Sequence, residues 1–227
     1  MRKATIILLF LGTLQVVSQT KIDTIKVDAN KLLMNNIQKG TVKYLVYKQK
    51  PNGDIHSTDV WIRDVKVVGN NLQIKQKWVN QKREIFSLNK KSNFESIYHY
   101  AKSGKDKIEA FEYKKNRIIG SDSIANNKRK GFELKIKEKT FNWELDLEFF
   151  QLLPYKLNTT YMINFYHPGS KAKPKYYAYK VIGKENINGL DGNKIKCWLL
   201  KIDYAENSSA TFYISVKTKE VIKMIET

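Results

Sequence analysis

The sequence predicts a mostly β protein: one long antiparallel sheet curled into an incomplete barrel, with one or two helices packed in the concavity. Three observations lead there. Apolar residues recur with a period of two along most of the chain, turn signals interrupt them at roughly 8–12-residue intervals, and one dense apolar block at 141–153 breaks the pattern. With 227 residues, 42% of them hydrophobic and 12% aromatic, the chain can bury a sizeable core. Only 11 Gly and 4 Pro are present, which excludes collagen-like and linker-dominated classes.

Residues 1–18 read as a secretory signal peptide. Arg2 and Lys3 precede an apolar run from Ala4 to Val17, and the small Ser18 suits cleavage ahead of Gln19. The run is shorter than the roughly 20 residues of a typical membrane-crossing helix; a retained anchor or a buried helix is the alternative. The mature chain, 19–227, is expected to form one domain, exported to the periplasm or beyond the cell, soluble and without a transmembrane segment. No cysteine follows the apolar run, so lipidation there is not expected. Cys197 is the only cysteine, which rules out a disulfide framework and fits a buried strand position.

A strand at 41–47, the turn Pro51-Asn52-Gly53-Asp54 and a strand at 55–63 make a hairpin. Gly69-Asn70-Asn71 turns the chain into 72–78, where Leu72, Ile74, Gln76 and Trp78 share one face. Further strands are expected at 84–88, 94–101, 108–114, 117–122, 132–137, 160–166, 175–182, 194–203, 210–215 and 220–225. Within the apolar block, 143–152 fits a helix that is greasy on most of its circumference and ends before Pro154. Such a helix belongs inside a curved sheet. It either fills the concavity or lines it. Residues 28–39, with Leu32, Leu33, Met34 and Ile37, fit a short earlier helix.

The second half carries a recognisable succession: Leu145-Asp146-Leu147-Glu148-Phe149-Phe150-Gln151-Leu152-Leu153-Pro154, a strand containing Tyr161 and Tyr166, then Tyr179-Lys180-Val181-Ile182-Gly183-Lys184-Glu185. It continues through Gly192, Cys197 and Leu200 to Ala210-Thr211-Phe212-Tyr213-Ile214-Ser215, Lys217-Thr218 and Val221-Ile222-Lys223. This pattern resembles an exported bacterial family of uncharacterised function whose members are similar in fold to the periplasmic lipoprotein carriers. The resemblance implies a curled antiparallel half-barrel with helix in its concavity, and it supplies no catalytic residues. Lys219 stands where the family often places a turn glycine, so a looser last hairpin is expected.

Chemical motifs are sparse. His56, His99 and His167 lack metal-ligand spacing, and no nucleophile elbow occurs. His99 reads as a sheet-face residue and His167, before Pro168-Gly169, as a turn residue. Glu144, Asp146 and Glu148 could in principle support paired-carboxylate chemistry, but read better as a solvated edge. No catalytic residues, metal or cofactor are expected, and the chain reads as non-enzymatic. Aromatic residues with polar tips can line a ligand cavity as well as pack a core. On that basis Trp143, Phe150, Tyr161, Phe165, Tyr177 and Tyr179 are the candidate ligand-binding residues.

Charge points to partners. Lys+Arg number 41 against 22 Asp+Glu, a net +19, of which Arg2 and Lys3 belong to the leader. Arginine occurs only at positions 2, 63, 83, 117 and 129, so nucleic acid, which favours the planar arginine fork, is not an expected partner. The Lys, Asn and Ile bias matches the usage of an AT-rich genome. Two roles follow: a protein that binds a hydrophobic small molecule or lipid in the concave face, or a cell-envelope interaction module whose lysine-rich surface takes a protein or an anionic polymer.

Overall fold

The computed structural model describes residues 20–189 and 191–227; the expected leader lies outside them. In chain order the strands are β1 (Lys21–Ile25), β2 (Gly40–Gln49), β3 (Ile55–Val68), β4 (Asn71–Trp78), β5 (Arg83–Lys90), β6 (Ser96–Ser103), β7 (Lys107–Tyr113), β8 (Arg117–Gly120), β9 (Glu133–Lys135) and β10 (Phe141–Asn142). A 3-10 turn, Trp143–Leu145, leads into α1 (Asp146–Gln151). Then follow β11 (Thr159–Tyr166), β12 (Lys175–Asn188), β13 (Lys194–Ala205), β14 (Ser208–Ser215) and β15 (Val221–Glu226).

The mostly β architecture with a helix at its centre is the one expected. Its hydrogen-bond ladder is divided in two. Strands β2 to β9 form an antiparallel meander in sequence order, and the second sheet runs β1-β11-β12-β13-β14-β15. Among the described residues no ladder joins them; the chain leaves the first sheet through the three-residue β9 and enters the second at the two-residue β10. Both β1 and β10 lie parallel to β11, with Lys21 opposite Thr159 and Phe141 opposite Phe165. Parallel pairing needs a long crossover, and for β1 that crossover includes the whole first sheet.

Local chemistry accounts for most elements. The Lys50-to-Asp54 turn closes with the Lys50 amide on the Asp54 carbonyl at 2.9 Å. In β4, Leu72, Ile74 and Gln76 are buried while Lys75 and Lys77 are exposed, the alternation of a half-wet sheet. Gly120 is required by crowding: a Cβ there would stand 1.7 Å from the Arg129 carbonyl oxygen. The helix expected at 28–39 is reduced to a 3-10 turn, Met34–Asn36. Its backbone is used elsewhere, with the Leu33 amide donating to the Leu152 carbonyl at 2.8 Å and the Gln38 amide to Gln151 Oε1 at 2.8 Å.

The apolar block fills the space between the sheets. Phe141, Leu145, Phe149, Phe150 and Leu152 are fully buried, in a core that includes Val65, Leu72 and Ile74 from the first sheet and Tyr179, Leu200 and Phe212 from the second. Phe149 packs on Phe94, Phe141 and Phe165, and Phe150 on Tyr179 and Phe212, with ring centroids 4.5–5.9 Å apart. Six residues cannot sustain a helix alone. Here the Asn142 side chain accepts the Glu144 amide at 3.0 Å, and Tyr155 donates its hydroxyl to the Phe150 carbonyl at 2.8 Å. Burial of each large side chain, at about 1.5–3 kcal/mol, supplies the rest.

Candidate functional site

The first sheet presents an unusual inner face. Alternation along β3 places Trp61, Arg63 and Val65 toward the core, so an arginine that is 2% exposed stands among apolar neighbours. Its guanidinium lies over the Trp61 ring, 4.2 Å from the centroid. Trp61 in turn stacks on Trp78 at 4.5 Å and touches Tyr44 at 6.1 Å. These rings form an aromatic row at one end of the core.

The helical segment carries its three carboxylates to this row, which corrects the solvated-edge expectation. Glu148 is 2% exposed and takes a bidentate contact from Arg63, with Nε to Oε1 at 2.7 Å and Nη2 on Oε2. Glu144 is clamped by Arg83, Nη2 to Oε1 at 2.7 Å and Nη1 to Oε2 at 3.2 Å. Gln76 Nε2 donates to the Glu144 carbonyl at 2.7 Å. Charges this deep persist only when paired, because the cost of leaving water must be met by a partner. Burial would push the Glu144 carboxyl up, but the Arg83 contacts outweigh it and hold the group below its usual range. Burial would likewise lower the Arg63 guanidinium, and Glu148 more than restores it.

Asp146 is different. It makes no ion pair within 4 Å among the described residues, and its recorded bond is from the Leu147 amide to Oδ1 at 2.7 Å. Part of the residue still meets solvent. Desolvation raises its pKa to about 7, with Glu148 and Glu144 adding to the rise and Arg63 opposing it. The charge of Asp146 is felt by Tyr44 on β2, Tyr179 on β12 and Tyr204 on β13. Tyr44 ties the two sheets together, its hydroxyl donating to the Val221 carbonyl at 3.0 Å.

Against the second sheet Trp143 is the hub. Its ring lies 4.5 Å from Tyr177, 5.4 Å from Phe165, 6.1 Å from Tyr204 and 6.5 Å from Tyr179, and it stacks on His167 at 4.3 Å. The His167 Nε2 and the Tyr177 hydroxyl are 3.1 Å apart. Of the six candidate residues the structure thus gathers Trp143, Phe165, Tyr177 and Tyr179, with Phe150 beside Tyr179. Tyr161 is set apart, its hydroxyl bonded to the Pro154 carbonyl at 2.5 Å and its ring near Tyr155. Phe150, Tyr161, Phe165 and Tyr179 are buried; Trp143 and Tyr177 are partly buried at the core margin.

Sequence reasoning missed Tyr44, Trp61, Arg63 and Tyr204. A signal existed for one of them: period two puts Arg63 on the same face as Val65, and a charge on a buried face asks for a partner.

The remaining groups are separately occupied. His99 is sealed in the core, with Ser87 Oγ and Asn142 Nδ2 each 3.0 Å from Nδ1, and desolvation lowers its pKa to about 4. Cys197 is buried in β13, as expected. An open surface cleft of about 580 Å³ is lined by Lys114, Lys115, Asn116, Arg117, Glu133, Lys135 and Ile136, and a second of about 220 Å³ lies against Lys26, Asp28 and Lys139. Neither includes any of the six candidates. No helix among the described residues is long and apolar enough to cross a membrane.

Comparison with known proteins found no matching curated protein and no matching solved structure, so the likeness to lipoprotein carriers rests on the residues quoted above. A family model described as "Protein of unknown function (DUF3108)" matches residues 36–227, from just before the first meander strand to the end of β15. That span takes in the first sheet, every strand of the second but β1, the buried arginine pairs and the central helix, and the chain accordingly belongs to the DUF3108 family.

Proposed function

We propose that the protein is an exported, non-enzymatic interaction module that engages an acidic polysaccharide of the cell envelope through its lysine-rich surface. The observation that carries this reading is the open basic cleft at the β7–β8 turn. Lys114, Lys115, Arg117 and Lys135 line it against one acidic residue, Glu133, and the Ile136 amide closes its floor on the Asn116 carbonyl at 2.9 Å. Lys114 reaches Glu112 and Arg117 reaches Glu133, whereas Lys115 and Lys135 have no carboxylate within 4 Å among the described residues. Carriage of an acyl chain has less support, because Phe149, Phe150 and their neighbours occupy the interior it would need. The non-enzymatic reading is supported by the arginine pairing of Glu144 and Glu148 and by the enclosure of His99.

Retention on an immobilised acidic polysaccharide such as alginate tests the proposal. Exposed charges are screened over about 8 Å at physiological ionic strength, so retention should fall steeply with salt. The Lys115→Glu/Lys135→Glu variant should elute at clearly lower salt than the charge-matched Lys75→Glu/Lys180→Glu control. Salt-indifferent retention, or identical elution of the two variants, would refute the reading.

A further inference from the structure

We infer that the free edge of β2 is a docking site for an extended, acidic segment of a partner protein, taken up as an added antiparallel strand. This surface goes beyond the polysaccharide reading and lies apart from the basic cleft, since β2 borders the first sheet at one end of its strand order and the cleft sits at β7 to β9 toward the other.

Strand pairing shows which backbone groups of β2 are left over. Successive residues of a strand turn their N–H and C=O to opposite sides. The Val79 amide donates to the Val60 carbonyl at 3.1 Å, so Val60 and Ile62 turn toward β4, and Asp59, Trp61 and Arg63 toward β2. Opposite those three stand Val46, Tyr44 and Val42. Thr41, Lys43, Leu45 and Tyr47 therefore direct their amides and carbonyls away from the sheet. All four are exposed, Leu45 by 69% and Tyr47 by 50%. Exposed Val60 lies directly opposite Leu45, and exposed Val79 beyond it, so the outer face beside this edge is apolar. Sheets usually blunt an edge by making it short or by placing proline and charges along it. Here β2 runs for ten residues without proline, and Lys43 is the one charge between Thr41 and Tyr47; the border strands β1, β9 and β15 have five, three and six residues.

The chemistry of the occupant follows from this pattern. A row of outward N–H and C=O groups repeating every second residue is matched by another extended backbone, with side chains at alternate positions supplying the selectivity. Charge then decides between a second copy and a different protein. Lys43, Lys48 and Lys50 are exposed and have no carboxylate within 4 Å among the described residues. A second copy would bring two such lysine sets together on chains of net charge +19 each, whereas an acidic segment neutralises them. Leu45 and Val60 ask for apolar residues between the acidic ones. An edge that interleaves basic and apolar residues thus fits a strand that interleaves acidic and apolar residues.

The probe is the capped peptide Glu-Glu-Thr-Val-Ile-Val-Glu-Val-Thr, which in antiparallel register sets its central isoleucine opposite Leu45 and glutamates opposite Lys43 and Lys48. On titration at low salt, amide exchange read by NMR should slow saturably at Lys43, Leu45 and Tyr47, while Val42, Tyr44 and Val46, already bonded to β3, change little. The same peptide N-methylated at the amides that face the edge should not bind. A peptide with lysine opposite Lys43 should bind about fivefold more weakly, and Lys43→Glu should reverse the order of the two peptides. Leu45→Pro removes an outward amide that no ladder uses, so it should keep the circular dichroism of the parent and lose the peptide. Lys43→Glu, at an exposed and unpaired side chain, keeps the test decisive if the proline variant does not fold. No added protection at the outward amides, binding that survives N-methylation, or a peptide order unchanged in Lys43→Glu would overturn the inference. So would a peptide-free dimer in sedimentation that Leu45→Pro dissolves, since it would assign the edge to a second copy.

Discussion

Asp146 shows how position sets the chemistry of a single side chain. Its neighbours Glu144 and Glu148 each found an arginine, whereas Asp146 has no ion pair among the described residues; desolvation raises its pKa, the two carboxylates of its own segment add to the rise, and the charges of Arg63 on β3, Tyr44 on β2, Tyr179 on β12 and Tyr204 on β13 are coupled to it. The native pKa of about 7 stands above the unfolded value of 3.8, so the folded state holds the proton more tightly. The resulting stabilisation is complete below the unfolded value and is lost as pH rises through about 7. His99 works in the opposite sense. Its native pKa of about 4 is below the ordinary 6.5, so its contribution is complete above 6.5 and lost as pH falls toward 4. Urea midpoints of the parent and Asp146→Asn separate the two. From about pH 4 to pH 7 the parent should lose stability relative to the variant, whereas parallel curves would show that Asp146 titrates normally.

At the scale of elements, hairpin chemistry was the most readable part of the chain. Pro51-Asn52-Gly53-Asp54 turns where expected, and Gly69-Asn70 joins β3 to β4, with Val68 opposite Asn71. The last hairpin illustrates a local rule being broken. Lys219 occupies a position with φ of +67°, in the left-handed region that disfavours a side chain, which agrees with its standing in place of a turn glycine. Its ammonium recovers part of the cost by donating to the Val216 carbonyl at 2.7 Å. Lys219→Gly should therefore be more stable than Lys219→Ala by about 1 kcal/mol in denaturant unfolding, since both lose that bond and only glycine relieves the backbone. Equal stabilities would mean that the turn carries no strain. The helix α1 was legible as a greasy interruption stopped by Pro154. Its shortness was not, because only the neighbouring walls decide how many residues fit between them.

For the molecule as a whole, the central segment joins the two sheets into one core. Phe149 reaches Phe94 between β5 and β6 as well as Phe165 on β11, and Arg63 fastens Glu148 across the same space. Neither sheet can lose this segment without exposing the other, so the protein should unfold in a single cooperative step. Near-ultraviolet and far-ultraviolet circular dichroism should give coincident urea transitions; two separated transitions would show that the sheets are stable independently. What the sequence determined by itself was the alternation of the strands, the places where they turn, and the one stretch too apolar to be anything but interior. These are local properties, written in residues a few positions apart. The tertiary structure alone decided that the strands divide into two sheets, that β1 lies parallel to β11, and that Glu148 meets an arginine 85 positions away. Those outcomes depend on which faces meet in space, and a buried charge selects its partner only once the surrounding walls have excluded water.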